Sequence, residues 1–281
     1  MEREIVERLR EYFEKKEGVV LAFLFGSRAR GLARKNSDWD IGVYFKPHQY
    51  MEIETLENYD GERDIWGELV DILKTDDVSL AILNRTSPSV VFSVLRKGIP
   101  LVIKNRGLYL DLLCRVSYEA IDFMEFAFDF WEISEKAKSL AKEDRLRVLK
   151  TLKFLEKEWE DFDEFQKMTG LDYLEKSYKR RDIERWIENL AMASLDIAKI
   201  ILASERELIP DSYKDTLRRF TIRHFDERFA DRFSKFAEFT NIIVHEYLDI
   251  KWIHIKNFIK EAGELYPLFI KRVKDLLEIG N

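Results

Sequence analysis

Phe25-Gly26-Ser27-Arg28-Ala29-Arg30-Gly31, followed by Ser37-Asp38-Trp39-Asp40-Ile41-Gly42-Val43-Tyr44, decides the architecture of the first hundred residues. Val19 to Phe25 is a nearly unbroken apolar run that ends at a glycine-serine turn, which reads as a buried strand. Ile41 to Phe45 predicts a second strand, and ten residues separate Ser27 from Asp38. Side chains two apart on a strand share a face, so Asp38 and Asp40 are expected to set two carboxylates about 6–7 Å apart on one surface.

Such a pair suits Mg2+, which takes carboxylate, phosphate and water oxygens in octahedral geometry. Gly26 lets the backbone turn close to a ligand and Ser27 offers a hydroxyl. The residues after them are expected to open a helix whose free N–H groups favour anions. Phosphate on one side and carboxylates on the other call for a cation between them, so the expected ligand is a metal-bound nucleoside triphosphate. Leu69-Val70-Asp71-Ile72-Leu73 reads as a further strand. An aspartate buried among such neighbours needs a partner or a metal, which makes Asp71 the expected third carboxylate. Of the flanking cations Arg28, Arg30, Arg34 and Lys35, Arg28 is the one expected to reach phosphate, and at least half are expected to be surface charges.

Working outward, Ile5, Val6, Leu9, Tyr12 and Phe13 recur at helical spacing before Gly18. Ser87-Pro88 opens another helix, Gly98 ends it, and Ile99 to Ile103 supplies a short last strand. Residues 1–105 therefore predict an α/β domain, a mixed sheet with flanking helices. From Gly107 the strand signals stop. Residues 106–142 read as a helical connection rich in aromatics, and 143–281 as an all-α helical bundle. Within the bundle, helices are expected over about 182–204, 229–247 and 252–277, the last broken at Gly263 or Pro267.

The length of 281 residues allows two domains, and the net charge of −6 gives no general attraction for nucleic acid. Cys114 is the only cysteine, which excludes an intrachain disulfide and fits a reducing compartment. The N-terminus carries no signal-like apolar stretch, and no run is long and apolar enough to span a membrane. A soluble, cytoplasmic protein with no membrane partner is expected.

The spacing of Gly26-Ser27 and Asp38-x-Asp40, in the form GSRARG followed by SDWDIGV, closely resembles the nucleotidyltransferase superfamily related to DNA polymerase beta. It looks like the minimal nucleotidyltransferase branch, and the resemblance covers about residues 1–105. It implies that Asp38 and Asp40 bind two Mg2+ ions, that Gly26 and Ser27 hold the triphosphate, and that Asp71 helps deprotonate the acceptor. It also implies nucleotidyl transfer, with ATP as donor.

In the helical half, Asn241 and His245 are four residues apart and share a helix face, an arrangement that on chemistry alone is usually structural. The segment Thr240-Asn241-Ile242-Ile243-Val244-His245-Glu246-Tyr247 resembles the signature of the HEPN domains encoded beside minimal nucleotidyltransferases, with similarity over about residues 143–278. Active HEPN ribonucleases place an arginine with four to six residues between it and this histidine, and this chain has Thr240, Phe239 and Glu238 there. None supplies a fixed cation for a scissile phosphate. Arg232 and Lys235 stand too far upstream to substitute.

In the paired toxin–antitoxin systems of this type, the nucleotidyltransferase adds AMP to the tyrosine of the HEPN His-x-Tyr motif. The resemblance thus implies an adenylyltransferase joined to a degenerate HEPN bundle, with Tyr247 or a separate toxin protein as acceptor. Two alternatives stay open: a ribonuclease toxin silenced by its own fused antitoxin, and a bundle that serves as a noncatalytic dimerisation or acceptor-binding module. RNA is the less favoured partner, and a homodimer through the helical domain is expected.

Overall fold

The computed structural model describes residues 2–33, 37–136, 142–239 and 252–279. The chain divides into two compact units, Met1–Asp122 and Phe123–Asn281.

The first unit is built on a mixed four-stranded sheet of β1 (Val19–Phe25), β2 (Trp39–Phe45), β3 (Val78–Ile82) and β4 (Ile99–Ile103), in the order β3-β2-β1-β4. β1 pairs antiparallel with both β2 and β4, and β2 pairs parallel with β3. A parallel pair needs a crossover, and α3 (Glu62–Leu73) supplies it between β2 and β3. Alternation along β2 sends Trp39, Ile41, Val43 and Phe45 into one core, where they meet Leu9 and Phe13 of α1 (Glu2–Lys15) and Ile65, Leu69 and Leu73 of α3. Tyr44 points the other way, into a second core with Val91, Val94 and Leu95 of α4 (Pro88–Lys97) and Leu108, Leu112 and Val116 of α5 (Arg106–Lys136). Gly42 on that face has no room for a side chain to spare, since a Cβ would lie 3.1 Å from Val94 and 3.2 Å from Leu83. Asn84 is fully buried and completes the end of β2 by accepting from Phe45 N (2.8 Å) and donating to Phe45 O (3.2 Å).

One expected strand is absent. Residues 69–73 close the helix α3, and the strand lies later, at Val78–Ile82. The apolar run Leu69-Val70-Asp71-Ile72-Leu73 is too short for periodicity to distinguish strand from helix. Packing decides, because Ile65, Leu69 and Leu73 are buried at helical spacing while Asp71 is exposed. The polar connection read between the two apolar runs is for much of its length this same helix.

The second unit is helical. α6 (Lys142–Trp159) and α9 (Ser177–Ser204) pack closely, joined by α10 (Tyr213–His224), α11 (Glu227–Phe233) and α12 (Trp252–Ile279), with two short helices, α7 (Phe162–Gln166) and α8 (Gly170–Glu175), between α6 and α9. Phe123, Phe126, Phe130 and Ile133 of α5 enter the same core. Trp186, Phe233, Phe236, Phe258, Tyr266 and Phe269 form its centre, with Tyr266 stacked on Phe236 at 5.3 Å. Two expectations are corrected here. α12 runs through Gly263 and Pro267 without a break, and the helix expected from residue 229 is interrupted by a turn at residues 234–235. Among the described residues no helix is long and apolar enough to cross a membrane.

Candidate active site

The glycine-serine turn is the point where β1 ends. Phe25 is extended, Gly26 adopts φ +72°, and a single helical turn, α2 (Gly26–Ala29), follows. Only glycine adopts this backbone without strain. Space makes the same demand, since a Cβ on Gly26 would lie 2.7 Å from Asp40 Cγ and would overlap Oδ2. The reason is register: Phe25 faces Asp40 across the β1–β2 pair, so the turn leaves the sheet beside the carboxylate. Gly26 and Asp40 therefore fit as one unit.

Asp38 is exposed, Asp40 is half-buried, and neither forms an ion pair among the described residues. Burial holds the Asp40 carboxyl above its usual range, the Asp38 charge pushes it further, and Arg28 and Arg30 oppose both effects. Two close carboxylates with one already resisting ionisation gain from a cation. Ser27 Oγ makes no hydrogen bond among the described residues, while Ser27 O accepts from Leu32 N at 3.0 Å to close the turn.

Arg28 braces the strand that carries the carboxylates. Its Nε donates to Ser37 O (3.1 Å) and Asp38 O (3.2 Å), and its guanidinium stacks over Trp39 at 4.3 Å. Arg30 donates to Gly26 O at 3.1 Å. Both arginines thus hold the turn and the start of β2 in shape. A cavity of about 380 Å3 is lined by Val6, Leu24, Trp39, Ile99 and Arg28 among others. Leu24 and Trp39 face the α1 core, so this cavity lies behind the sheet face that bears Asp38 and Asp40.

Asp71 stands apart from this arrangement. It lies on the exposed side of α3, and the argument for a third carboxylate on a strand fails with the strand itself. Among the described residues no group of three acidic, histidine or cysteine side chains could hold a metal. The parallel pairing puts Ser79 in register with Asp40. Neighbours in register share a face, so a hydroxyl stands beside the carboxylate pair. Ser79 escaped the sequence reading, although its strand shows the period-two pattern of Val78, Leu80 and Ile82.

Asn241, His245 and Tyr247 lie outside the described residues, as do Thr240, Arg34 and Lys35. Arg232 is described, and it is engaged by two carboxylates, with Nε 2.6 Å from Glu261 and Nη2 bonded to Glu264.

Residues 7–107 match the family model described as "Polymerase beta, Nucleotidyltransferase". Residues 155–273 match the model described as "Ribonuclease HepT-like". The two models thus match successive parts of the chain, the first its α/β region and the second its helical region. Among solved structures it resembles one described as "Crystal structure of the toxin-antitoxin with AMP-PNP", at 21% identity, with a TM-score of 0.35, over 44% of this chain and 91% of that one. No curated protein matches the chain.

Proposed function

We propose that this chain is a Mg2+-dependent nucleotidyltransferase that moves AMP from ATP to a protein hydroxyl, on Tyr247 of the chain itself or on a separate toxin protein, and that its HepT-like half is catalytically degenerate. The observation that carries this reading is the fit of Gly26 against Asp40, which sets the glycine-serine turn directly beside the Asp40 carboxylate. The donor set suits Mg2+: two carboxylates on one sheet face, with the rest of the shell left to phosphate and water oxygens. Asp38 and Asp40 would hold the metal, which when bound neutralises triphosphate charge and stabilises the attacking and leaving oxygens.

The remaining roles belong to the chain's own groups. Backbone N–H groups of the Gly26–Ala29 turn and Ser27 Oγ bind phosphate oxygens, and Arg28 and Arg30 keep the turn in register with β2. The acceptor oxygen forms a bond to the α-phosphorus, the bond to the β-phosphate oxygen breaks, and pyrophosphate leaves. The acceptor's proton passes to water, because Ser79 stands where a carboxylate base on β3 would be.

The HepT-like half is read as degenerate because Glu238, Phe239 and Thr240 stand where the motif's arginine is needed and Arg232 is held by Glu261 and Glu264. No metal-independent RNA cleavage is expected.

The test is incubation with Mg2+ and each labelled nucleotide, followed by intact mass and peptide mapping. The expected result is one added AMP on Tyr247 or on a protein from cell extract, absent in Asp38→Ala/Asp40→Ala. Transfer that survives the double variant, or RNA cleavage that disappears in His245→Ala, contradicts the proposal.

A further inference from the structure

α1 covers its side of the sheet unevenly. Leu9 and Phe13 are fully buried in the core beneath it, whereas Val6, one turn nearer the N-terminus, is only half-buried. The space left there is the cavity of about 380 Å3, and four elements supply its apolar walls: Val6 of α1, Leu24 of β1, Trp39 of β2 and Ile99 of β4. Leu24 and Ile99 are partners in the β1–β4 pairing and stand side by side. Protein interiors leave few voids larger than a water molecule, and ligand pockets begin at about 300 Å3. A space of this size is room for a small ligand.

The charges around it select the occupant. Two guanidiniums, of Arg10 and Arg28, line the same cavity against one carboxylate, of Glu7. Glu7 holds Arg10 Nη1 at 2.7 Å, while Arg10 Nη2 has only a 3.5 Å contact with Pro100 O. Positive charge is therefore in excess among the lining residues, which favours an anion over a cation. A guanidinium meets a carboxylate with paired N–H donors, so a carboxylate is the anion that fits best. Trp39 adds a further donor, because its indole N–H makes no hydrogen bond among the described residues.

We propose that this cavity binds a small amphipathic anion, an apolar body bearing one carboxylate, on the side of the sheet opposite Asp38 and Asp40. Binding there does not depend on nucleotidyl transfer, but its consequence rests on that reading. Trp39 stands between the two aspartates on β2, and Arg28 donates to Ser37 O and Asp38 O while its guanidinium lies over Trp39 at 4.3 Å. A ligand against Trp39 and Arg28 touches the segment that carries the carboxylate pair. Its occupancy alters the affinity for Mg2+-nucleotide, and the nucleotide alters the affinity for the anion by the same factor.

The test is 19F NMR of the full chain labelled with 5-fluorotryptophan, in which the Trp39 resonance, one of six, is assigned by its loss in Trp39→Phe. Phenylacetate is expected to shift that resonance saturably at about millimolar concentration, and phenylacetamide to bind roughly tenfold more weakly. Arg10→Gln is expected to reduce phenylacetate to the level of the amide. Val6→Phe, which fills the cavity, is expected to abolish the shift and leave the resonances of the remaining tryptophans in place; if it disturbs them, Arg10→Gln alone decides. No saturable shift by about 10 mM phenylacetate overturns the proposal, as do equal affinities for acid and amide or a shift that survives Val6→Phe. A non-hydrolysable ATP analogue with Mg2+ is expected to change the phenylacetate affinity at least about twofold without displacing it. Full displacement would assign the cavity to the nucleotide and overturn the proposal, and an unchanged affinity would overturn the coupling. A chain that binds phenylacetate but no nucleotide would support the cavity site and contradict the proposed function.

Discussion

The two units treat their charged groups in opposite ways. At the end of β1, Asp38 and Asp40 form no ion pair among the described residues, and burial together with like charge raises Asp40. In the helical unit several buried or half-buried cations are matched: Arg232 lies between Glu261 and Glu264, and buried Lys199 between Asp129 (2.7 Å) and Asp196 (3.2 Å). A carboxylate pair without an internal cation gains from one supplied from outside, whereas a cation already held by two carboxylates has little charge left to offer a phosphate. Under the proposed function, the contrast places the chemistry at the Asp38/Asp40 end of the sheet and gives Arg232 and Lys199 a packing role.

The sharpest way to break this contrast is to remove the excess charge. Asp38→Ala/Asp40→Ala is expected to lower AMP transfer at least about 10^3-fold, or about 4 kcal/mol of transition-state stabilisation, with thermal unfolding of the helical unit unchanged. Gly26→Ala is expected to cost on the order of 10^2-fold in kcat, because the new Cβ must displace the Asp40 carboxylate and misplace the reacting groups. Single-turnover mass spectrometry separates the two, since only Gly26→Ala retains both carboxylates.

Among the described residues one buried side-chain nitrogen or oxygen lacks a hydrogen-bond partner, and it lies in the helical unit. His224 Nε2 is buried without a hydrogen-bond partner, and its pKa is lowered to about 4, first by burial and then by Arg272 and Arg223. An unfolded histidine titrates near 6.5, so the unfolded state binds more protons between the two values. Stability from this group is complete above about pH 6.5 and is lost as the pH falls towards 4. Denaturant unfolding across that range is expected to show a loss on the order of 1–2 kcal/mol after solvent screening, absent in His224→Leu.

The smallest effects concern the third position beside the carboxylates. Asp71→Ala is expected to change transfer by no more than about twofold, as for other surface substitutions away from a site. Ser79→Asp is expected to raise it several-fold by putting a proton acceptor in register with Asp40. A large loss in Asp71→Ala would show that α3 serves the site after all.

What the sequence revealed follows from how local each signal is. The Gly26 turn and the Asp38/Asp40 alternation are legible because each is fixed by a few contiguous residues and a period of two. Ser87-Pro88 and Gly98 bounded α4 correctly for the same reason, through a cap, a first-turn proline and a terminal glycine. Asp71 misled because a five-residue apolar run satisfies strand and helix alike, and only burial of Ile65, Leu69 and Leu73 together resolves it. α12 likewise stays continuous through Pro267 because Leu265, Tyr266 and Phe269 pack on both sides of it. Ser79 acquires meaning only from its pairing with Asp40, which is non-local.

Nucleotide and metal engage Asp38 and Asp40 before any acceptor does, so nucleotide binding tests the site more directly than turnover. Calorimetric titration with a non-hydrolysable ATP analogue should show binding that requires Mg2+ in the wild type and is lost in Asp40→Asn. Equal affinity in the variant, or binding indifferent to Mg2+, would contradict the assignment of the Gly26-to-Asp40 site.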